Sequence, residues 1–134
     1  MKKIIIPSLL LLASLILAVG CSSDKANPLA SFEPEIIADA DAFQFQATAV
    51  KNVTTTVEYT WDNTSTSATV NHSSVITGGE ATVTIFDADS TQVYTNGLAA
   101  SLNEGTQTGT AGAWRVRVTL TNLSGTLNFR VEKG

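Results

Sequence analysis

Few residues in this chain are of the kinds that reactions are built on. It has one cysteine, Cys21, and one histidine, His72, in 134 residues. Nucleophilic catalysis needs a base beside the nucleophile and an oxyanion hole, often announced by Gly-x-Ser-x-Gly. That motif is absent, and His72 sits in a polar stretch with Asn71, Ser73 and Ser74 that predicts a surface or strand-edge position. Zinc would need more thiols or imidazoles than these. Asp87 and Asp89, followed by Ser90, offer oxygens to a hard cation such as Ca²⁺, which takes six or more ligands. Aspartate in a tight turn more often bonds its own backbone. The pair is therefore read as a turn, with Ca²⁺ as the alternative. Asp62, Glu80 and Glu104 supply carboxylates, but nothing in their spacing sets the separation of about 5–9.5 Å that glycoside hydrolysis requires. No catalytic residue is assigned, no cofactor is expected, and a small hydrolase is kept only as a residual reading.

Binding chemistry is better represented. Tyr59, Trp61, Tyr94 and Trp114 are of the type that stacks on sugars. Trp61 is in phase with Val53, Val57 and Tyr59, and Trp114 with Val116, Val118 and Leu120, so both are expected in the core. Tyr94 remains a candidate ligand contact. Arg115, Arg117 and Arg130 fall on the polar phase of their segments and would form a small basic face, either solvated or a docking surface for an acidic partner.

The one cysteine has a different use. Met1-Lys2-Lys3 is basic, Ile4 to Val19 is almost wholly apolar, and Ala18-Val19-Gly20 leads into Cys21 and then Ser22, Ser23 and Asp24. A basic start, an apolar run and small residues before a cut form the plan of a secretory signal peptide. The sixteen apolar-run positions fall short of the roughly 20 residues needed to cross a bilayer. Small residues ahead of a cysteine at this point resemble the bacterial lipobox, with Leu17 one place early and Ala18 in its position. The resemblance implies cleavage after residue 20, a diacylglyceryl group on the Cys21 thiol and anchorage to the bilayer. Acyl chains contribute about 0.8 kcal/mol per buried methylene, so two or three hold a protein stably on a membrane. Ser22 resembles the outer-membrane sorting pattern of diderm bacteria. The expected location is thus the bacterial cell envelope.

Without residues 1–20 the chain has 6 basic and 12 acidic residues, a net charge of −6. Such a balance argues against nucleic acid, which is bound by clustered Lys and Arg. Residues 21–41 contain Pro28, Pro34 and five acids without sustained periodicity. They read as a tether with a mean reach of roughly 25 Å, although Ile36-Ile37 could open a first strand.

From residue 42 to 134 the pattern alternates with a period of two, which marks half-buried strands. Phe43 to Ala49, Val53 to Trp61, Ala68 to His72, Ala81 to Ile85, Gln92 to Thr95, Trp114 to Leu120 and Leu127 to Val131 give about seven. Asp87 to Ser90 separates two of them, and Asn122-Leu123-Ser124-Gly125 predicts a terminal hairpin. The expected fold is all-β, a single antiparallel β-sandwich of immunoglobulin-like or jelly-roll-like type.

The order of Phe43-Gln44-Phe45-Gln46, Tyr59-Thr60-Trp61-Asp62-Asn63-Thr64, Ala81-Thr82-Val83-Thr84-Ile85, Val93-Tyr94, Gly112-Ala113-Trp114-Arg115-Val116 and Ser124 to Val131 resembles a family of small bacterial lipoproteins that has no established activity. From Gly79 onward the layout is also similar to pre-peptidase C-terminal and CUB-like sandwiches. This implies an accessory module rather than an enzyme. The expected function is a membrane-anchored, non-catalytic module that binds an envelope protein or another envelope component, with a carbohydrate-binding surface lipoprotein as the alternative.

Overall fold

The computed structural model describes residues 27–134. Alternating Val, Thr and aromatic residues produce seven strands: β1 (Glu35–Ala38), β2 (Ala42–Asn63), β3 (Ala68–His72), β4 (Val75–Phe86), β5 (Gln92–Gly97), β6 (Leu102–Gly105) and β7 (Gly112–Lys133). All pairings are antiparallel and belong to one sheet. The fold is all-β, as expected.

The sheet is organised on two strands of 22 residues, β2 and β7, paired from Ala42↔Glu132 to Asn63↔Gly112. Residues 42–50 and 125–133 carry β1 on one side and β3, then β6, on the other. Residues 53–63 and 112–123 carry β4, then β5. Between these halves the register slips three times on β2, between Ala47 and Thr55, and twice on β4, between Ile76 and Glu80. Extra residues of this kind bend a strand. A straight strand would hold Phe43 and Tyr59 roughly 50 Å apart, yet their rings lie 5.6 Å from each other, and Tyr59 lies 5.9 Å from Phe45. The sheet is therefore folded across its middle into a sandwich. Phe43, Phe45, Leu127 and Phe129 from one half and Val83, Ile85, Val116 and Val118 from the other share one core.

The fold line explains why the expected terminal hairpin does not form. Asn122 (φ 47°) and Gly125 (φ 140°) do take the turn-like conformations their types favour. Each produces a bulge instead of a reversal, because β2 and β4 run past them on both sides. Leu123, which would sit on a hairpin tip, is fully buried. Ala49 (φ 54°) and Asn52 (φ 51°) bend β2 opposite them, which joins two expected strands into one. Gly79 (φ 74°) completes the line, and a Cβ there would run into the carbonyl oxygens of Thr121 and Asn122. The count of seven is recovered with a different make-up: Ile36-Ile37 does open a first strand, β1, and β6 has no counterpart among the alternating segments.

The domain also reaches further toward the N-terminus than residue 42. Pro28–Phe32 forms a short 3-10 helix, with the Asn27 side chain accepting from the Leu29 N–H at 2.9 Å and Glu33 ending it at φ 46°. Leu29 is buried in the core, with Phe32 and Ile36 packed against it. Burial of Leu29 withdraws about half of the expected tether into the fold.

Candidate functional site

The residues with binding or catalytic potential that the structure brings together fall at three places. The first is the β4–β5 turn. Asp87 is buried, and its Oδ1 accepts from the backbone N–H of Asp89 and Thr91 while Oδ2 accepts from Thr110. These bonds hold its carboxyl below the usual carboxylate range, those to Thr91 and Thr110 acting most strongly. Asp89 accepts from the Thr110 hydroxyl at 2.8 Å. Asp87 is thus committed to backbone groups of its own turn and of the neighbouring loop, the bonding that the turn reading expects. Trp114 is fully buried and donates from Nε1 to the Thr110 carbonyl at 2.7 Å, so it braces the same loop from below. Trp61, its cross-strand partner, is also buried in the core, as its phase predicted.

The second place is the outer face of β2, β7 and β4. Glu58 and Thr84 flank Arg117, while Thr60 and Phe86 flank Arg115. Both guanidinium carbons lie 4.7 Å from the centre of the Phe86 ring, a cation–π arrangement. Glu58 accepts from Arg117 Nε at 2.7 Å and more loosely from Arg115 at 3.4 Å, while Arg115 also donates to the Ser90 hydroxyl at 3.2 Å. Chiefly the Arg117 hydrogen bond holds the Glu58 carboxyl low. Arg130 does not join them. It lies beyond the fold line on the other half, paired with Glu132 at 3.0 Å. The three arginines expected to make one basic face are therefore split, and two of them already share a carboxylate.

The third place is the seam where the two halves meet along β5 and β6. Within the sheet β5 pairs with β4, and β6 with β3. Across the seam the Gln107 N–H donates to the Val93 carbonyl at 2.9 Å, and Asn96 Nδ2 donates to Glu104 Oε2 at 2.7 Å. The Tyr94 hydroxyl donates to the same Glu104 oxygen at 3.2 Å and lies 3.4 Å from His72 Nε2. Because that phenolic proton goes to Glu104, the Tyr94 oxygen is left to accept from His72. That pairing corresponds to the Nε2–H tautomer, with Nδ1 as a lone pair. Nδ1 is buried and has no hydrogen-bond partner among the described residues. Burial lowers the His72 pKa below the ordinary imidazole value, opposed by the nearby Ala100 backbone and the Glu104 charge. Burial, then the Glu104 charge, pushes Tyr94 up to about 12.

Above this chain lies an open cleft of about 240 Å³, lined among others by Gln92, Tyr94, Thr95, Glu104 and Gln107. Gln92, Thr95 and Gln107 are exposed rims, Glu104 is half-buried, and Tyr94 is buried behind them. A second cleft, about 420 Å³, sits where the chain enters the domain, between Phe32–Glu35 and Gln46 and Thr48.

Against this geometry, comparison with known proteins adds little. No family model and no curated protein matches the chain. Among solved structures it is similar to "Structure of infectious bursal disease virus Gt strain" at 16% identity and TM-score 0.30, over 92% of this chain and 34% of that one. It is likewise similar to "Structure of infectious bursal disease virus Gx strain" at 17% identity and TM-score 0.32, over 96% of this chain and 39% of that one. The chain spans well under half the length of either.

The sequence reading placed His72 at the surface or a strand edge. It is 1% exposed. The signal was present in its phase, since Ala68, Val70 and His72 alternate and Ala68 and Val70 are buried. Tyr94, a candidate ligand contact, keeps only 8% of its surface. It meets the cleft from behind instead of presenting a face on which a sugar could stack. Glu104 was visible only as one carboxylate among several, because the four-residue strand that aims it was not legible. Cys21 lies outside the described residues.

Proposed function

We propose that this chain is an exported lipoprotein, anchored through a diacylglyceryl group on Cys21, whose sandwich binds a component of the cell envelope at the β5–β6 seam and catalyses no reaction. The anchor rests on the signal-peptide pattern and the lipobox resemblance at Ala18-Val19-Gly20-Cys21. Burial of Leu29 refines it. Only residues 22–26 lie between the thiol and the described domain, a contour of roughly 20–22 Å at most. The domain would therefore sit close to the bilayer.

The observation that carries the binding site is the arrangement of Glu104. Two donors, from Tyr94 and Asn96, converge on its Oε2 and fix its orientation at an open cleft. A carboxylate held in one geometry with two uncommitted glutamine rims is suited to a ligand rich in hydroxyl groups, and poorly suited to an apolar one. This favours a glycan-bearing component and gives the carbohydrate alternative its own support.

Photo-crosslinking in cells tests the proposal. A crosslinker at Gln107 of the full-length protein should capture a glycan-bearing species, and Cys21→Ser should abolish that capture by releasing the protein from the membrane. A crosslinker at Thr119, on the outer face of β7, serves as the control. Capture from Thr119 but not Gln107 would move the site to the arginine face, and an unchanged membrane fraction for Cys21→Ser would remove the lipid anchor.

A further inference from the structure

We infer that the β5–β6 seam is an acid-released latch, in which protonation of His72 separates the two strand edges and opens the cleft between them. The observation behind it is a buried imidazole with an incomplete set of partners. His72 is 1% exposed, its Nε2 faces Tyr94, and its Nδ1 has no hydrogen-bond partner among the described residues. In the neutral ring that vacancy is a bare lone pair. Protonation converts it to an N–H donor on a buried cation, whose burial the Ala100 backbone and the Glu104 charge offset only in part, and a buried, poorly paired charge is among the most costly groups in a fold.

The neighbours do not remove the cost. On β7 the residue opposite His72 is Phe129, and Arg130 and Glu132 pair with Asn71 and Thr69 on the other face of the sheet. On β6 the partner is Leu102, with Glu104 two residues further along. Tyr94 is the titratable group presented by β5, and it is a phenol already donating to Glu104. A backbone hydrogen bond at Ala100 and the Glu104 charge both favour the charged ring, but burial outweighs them. The remaining relief is water, and it reaches His72 when β6 and β5 draw apart.

The seam is built to yield first. β2 and β7 are paired over their whole lengths, whereas β5 and β6 are held together, among the described residues, by the Gln107-to-Val93 backbone hydrogen bond just past β6 and by the side chains of Tyr94, Asn96 and Glu104. Segments joined by few contacts open at lower free energy than the core does. The physiological reading, that acid releases the bound envelope component, rests on the binding site proposed above. The opening itself does not.

The histidine count makes the test direct, because the chain has a single imidazole and hence a single set of ring signals. The ring is titrated by ¹H–¹³C NMR in the full-length lipidated protein in detergent micelles, without ligand. Hydrogen–deuterium exchange across the same pH series is corrected for the intrinsic pH dependence of exchange. The expected result is a His72 midpoint below about 6.5 and a tenfold or greater rise in exchange over residues 92–105 that follows the same midpoint. Residues 114–120 of β7 should keep their protection.

Glu104→Gln separates the two titrating groups. It keeps an oxygen for Tyr94 and cannot ionise, so the transition should persist with His72. Exchange that follows a midpoint in the carboxylate range and vanishes in Glu104→Gln would overturn the inference. So would exchange over 92–105 that is flat while His72 titrates. A latch that opens in a protein whose Gln107 captures nothing at neutral pH would retire the binding site and leave the latch standing.

Discussion

Asp87 and His72 are both buried polar side chains, 4% and 1% exposed, and the fold treats them in opposite ways. Three backbone N–H groups from two loops converge on the Asp87 carboxylate. His72 has one long contact, to Tyr94, and one bare nitrogen. The first is a brace, since a charged group supplied with donors holds the loops that supply them. The second keeps a protonation change in reserve, because its neutral form is tolerated and its charged form is not. One end of the sandwich is therefore locked and its seam is conditional. The contrast is why the seam, and not the locked end, is the place proposed for binding.

The largest effect should come from removing what the locked end stands on. Trp114 packs edge-on against Trp61 at 6.3 Å and donates to the Thr110 carbonyl, in the loop that also bonds Asp87. Trp114→Ala should cost about 3–5 kcal/mol, the usual range for emptying a buried Trp or Phe site, read by urea unfolding at neutral pH. A cost below about 1 kcal/mol would mean that the loop does not depend on its tryptophan floor.

Asp87→Asn comes next and should lower the melting temperature by less than Trp114→Ala does. The amide keeps one acceptor oxygen and places an NH₂ against a backbone N–H. The pH dependence has a definite sign. The folded Asp87 pKa lies below its unfolded value of about 3.9, so the unfolded chain binds the proton first as pH falls. The contribution is present above that value and is lost as pH drops through the folded pKa. Melting curves of the wild type should therefore fall steeply below about pH 4, and those of Asp87→Asn less so. Parallel curves would mean that other carboxylates carry the acid sensitivity.

This pair of residues also marks how far the sequence could be read. The all-β class, the turn at Asp87 and the inward Trp61 and Trp114 followed from phase and residue type, which report local burial. The fold line did not. Asn122 to Gly125 has the composition of a hairpin, and only partners on both sides decide that it becomes a bulge, a fact about residues roughly 45 to 75 positions away. The same distance hid the seam. His72, Tyr94 and Glu104 come from three short strands, and no spacing along the chain announces their meeting. Leu29 was missed for a related reason, since a single buried leucine in a Pro-containing acidic stretch has no period to betray it.

At the seam, Tyr94→Phe should be milder, about 0.5–1.5 kcal/mol for one lost hydrogen-bonding hydroxyl. It also sharpens the comparison. His72 has a folded pKa held down by burial, so the unfolded chain takes up the proton first, and stability falls as pH drops from about 6.5 through the folded value. With phenylalanine at 94 the imidazole loses its contact with the tyrosine hydroxyl, and the decline over that window should steepen. A shallower decline would show that the tyrosine, not the burial, disfavours the charged ring.

The smallest effect belongs to the surface ion pairs, and they separate satisfied from merely adjacent charges. Arg130 and Glu132 are about half exposed and meet at 3.0 Å, with no third group fixing either. A pair of this kind is worth roughly 0–1 kcal/mol, because water screens it and two long side chains must be ordered to make it. Arg117 has a closer contact to Glu58 and also lies over Phe86. Arg130→Ala should change the urea midpoint by less than about 0.5 kcal/mol equivalent, and Arg117→Ala by more, since it also uncovers part of the Phe86 ring. Raising salt should shrink the Arg130 effect toward zero and leave most of the Arg117 effect, because dispersion and ring contact are not screened as exposed charges are. If both effects vanish together in salt, the arginine–phenylalanine stack adds nothing to stability. The outer face would then be as uncommitted as the seam cleft, and as available to a ligand.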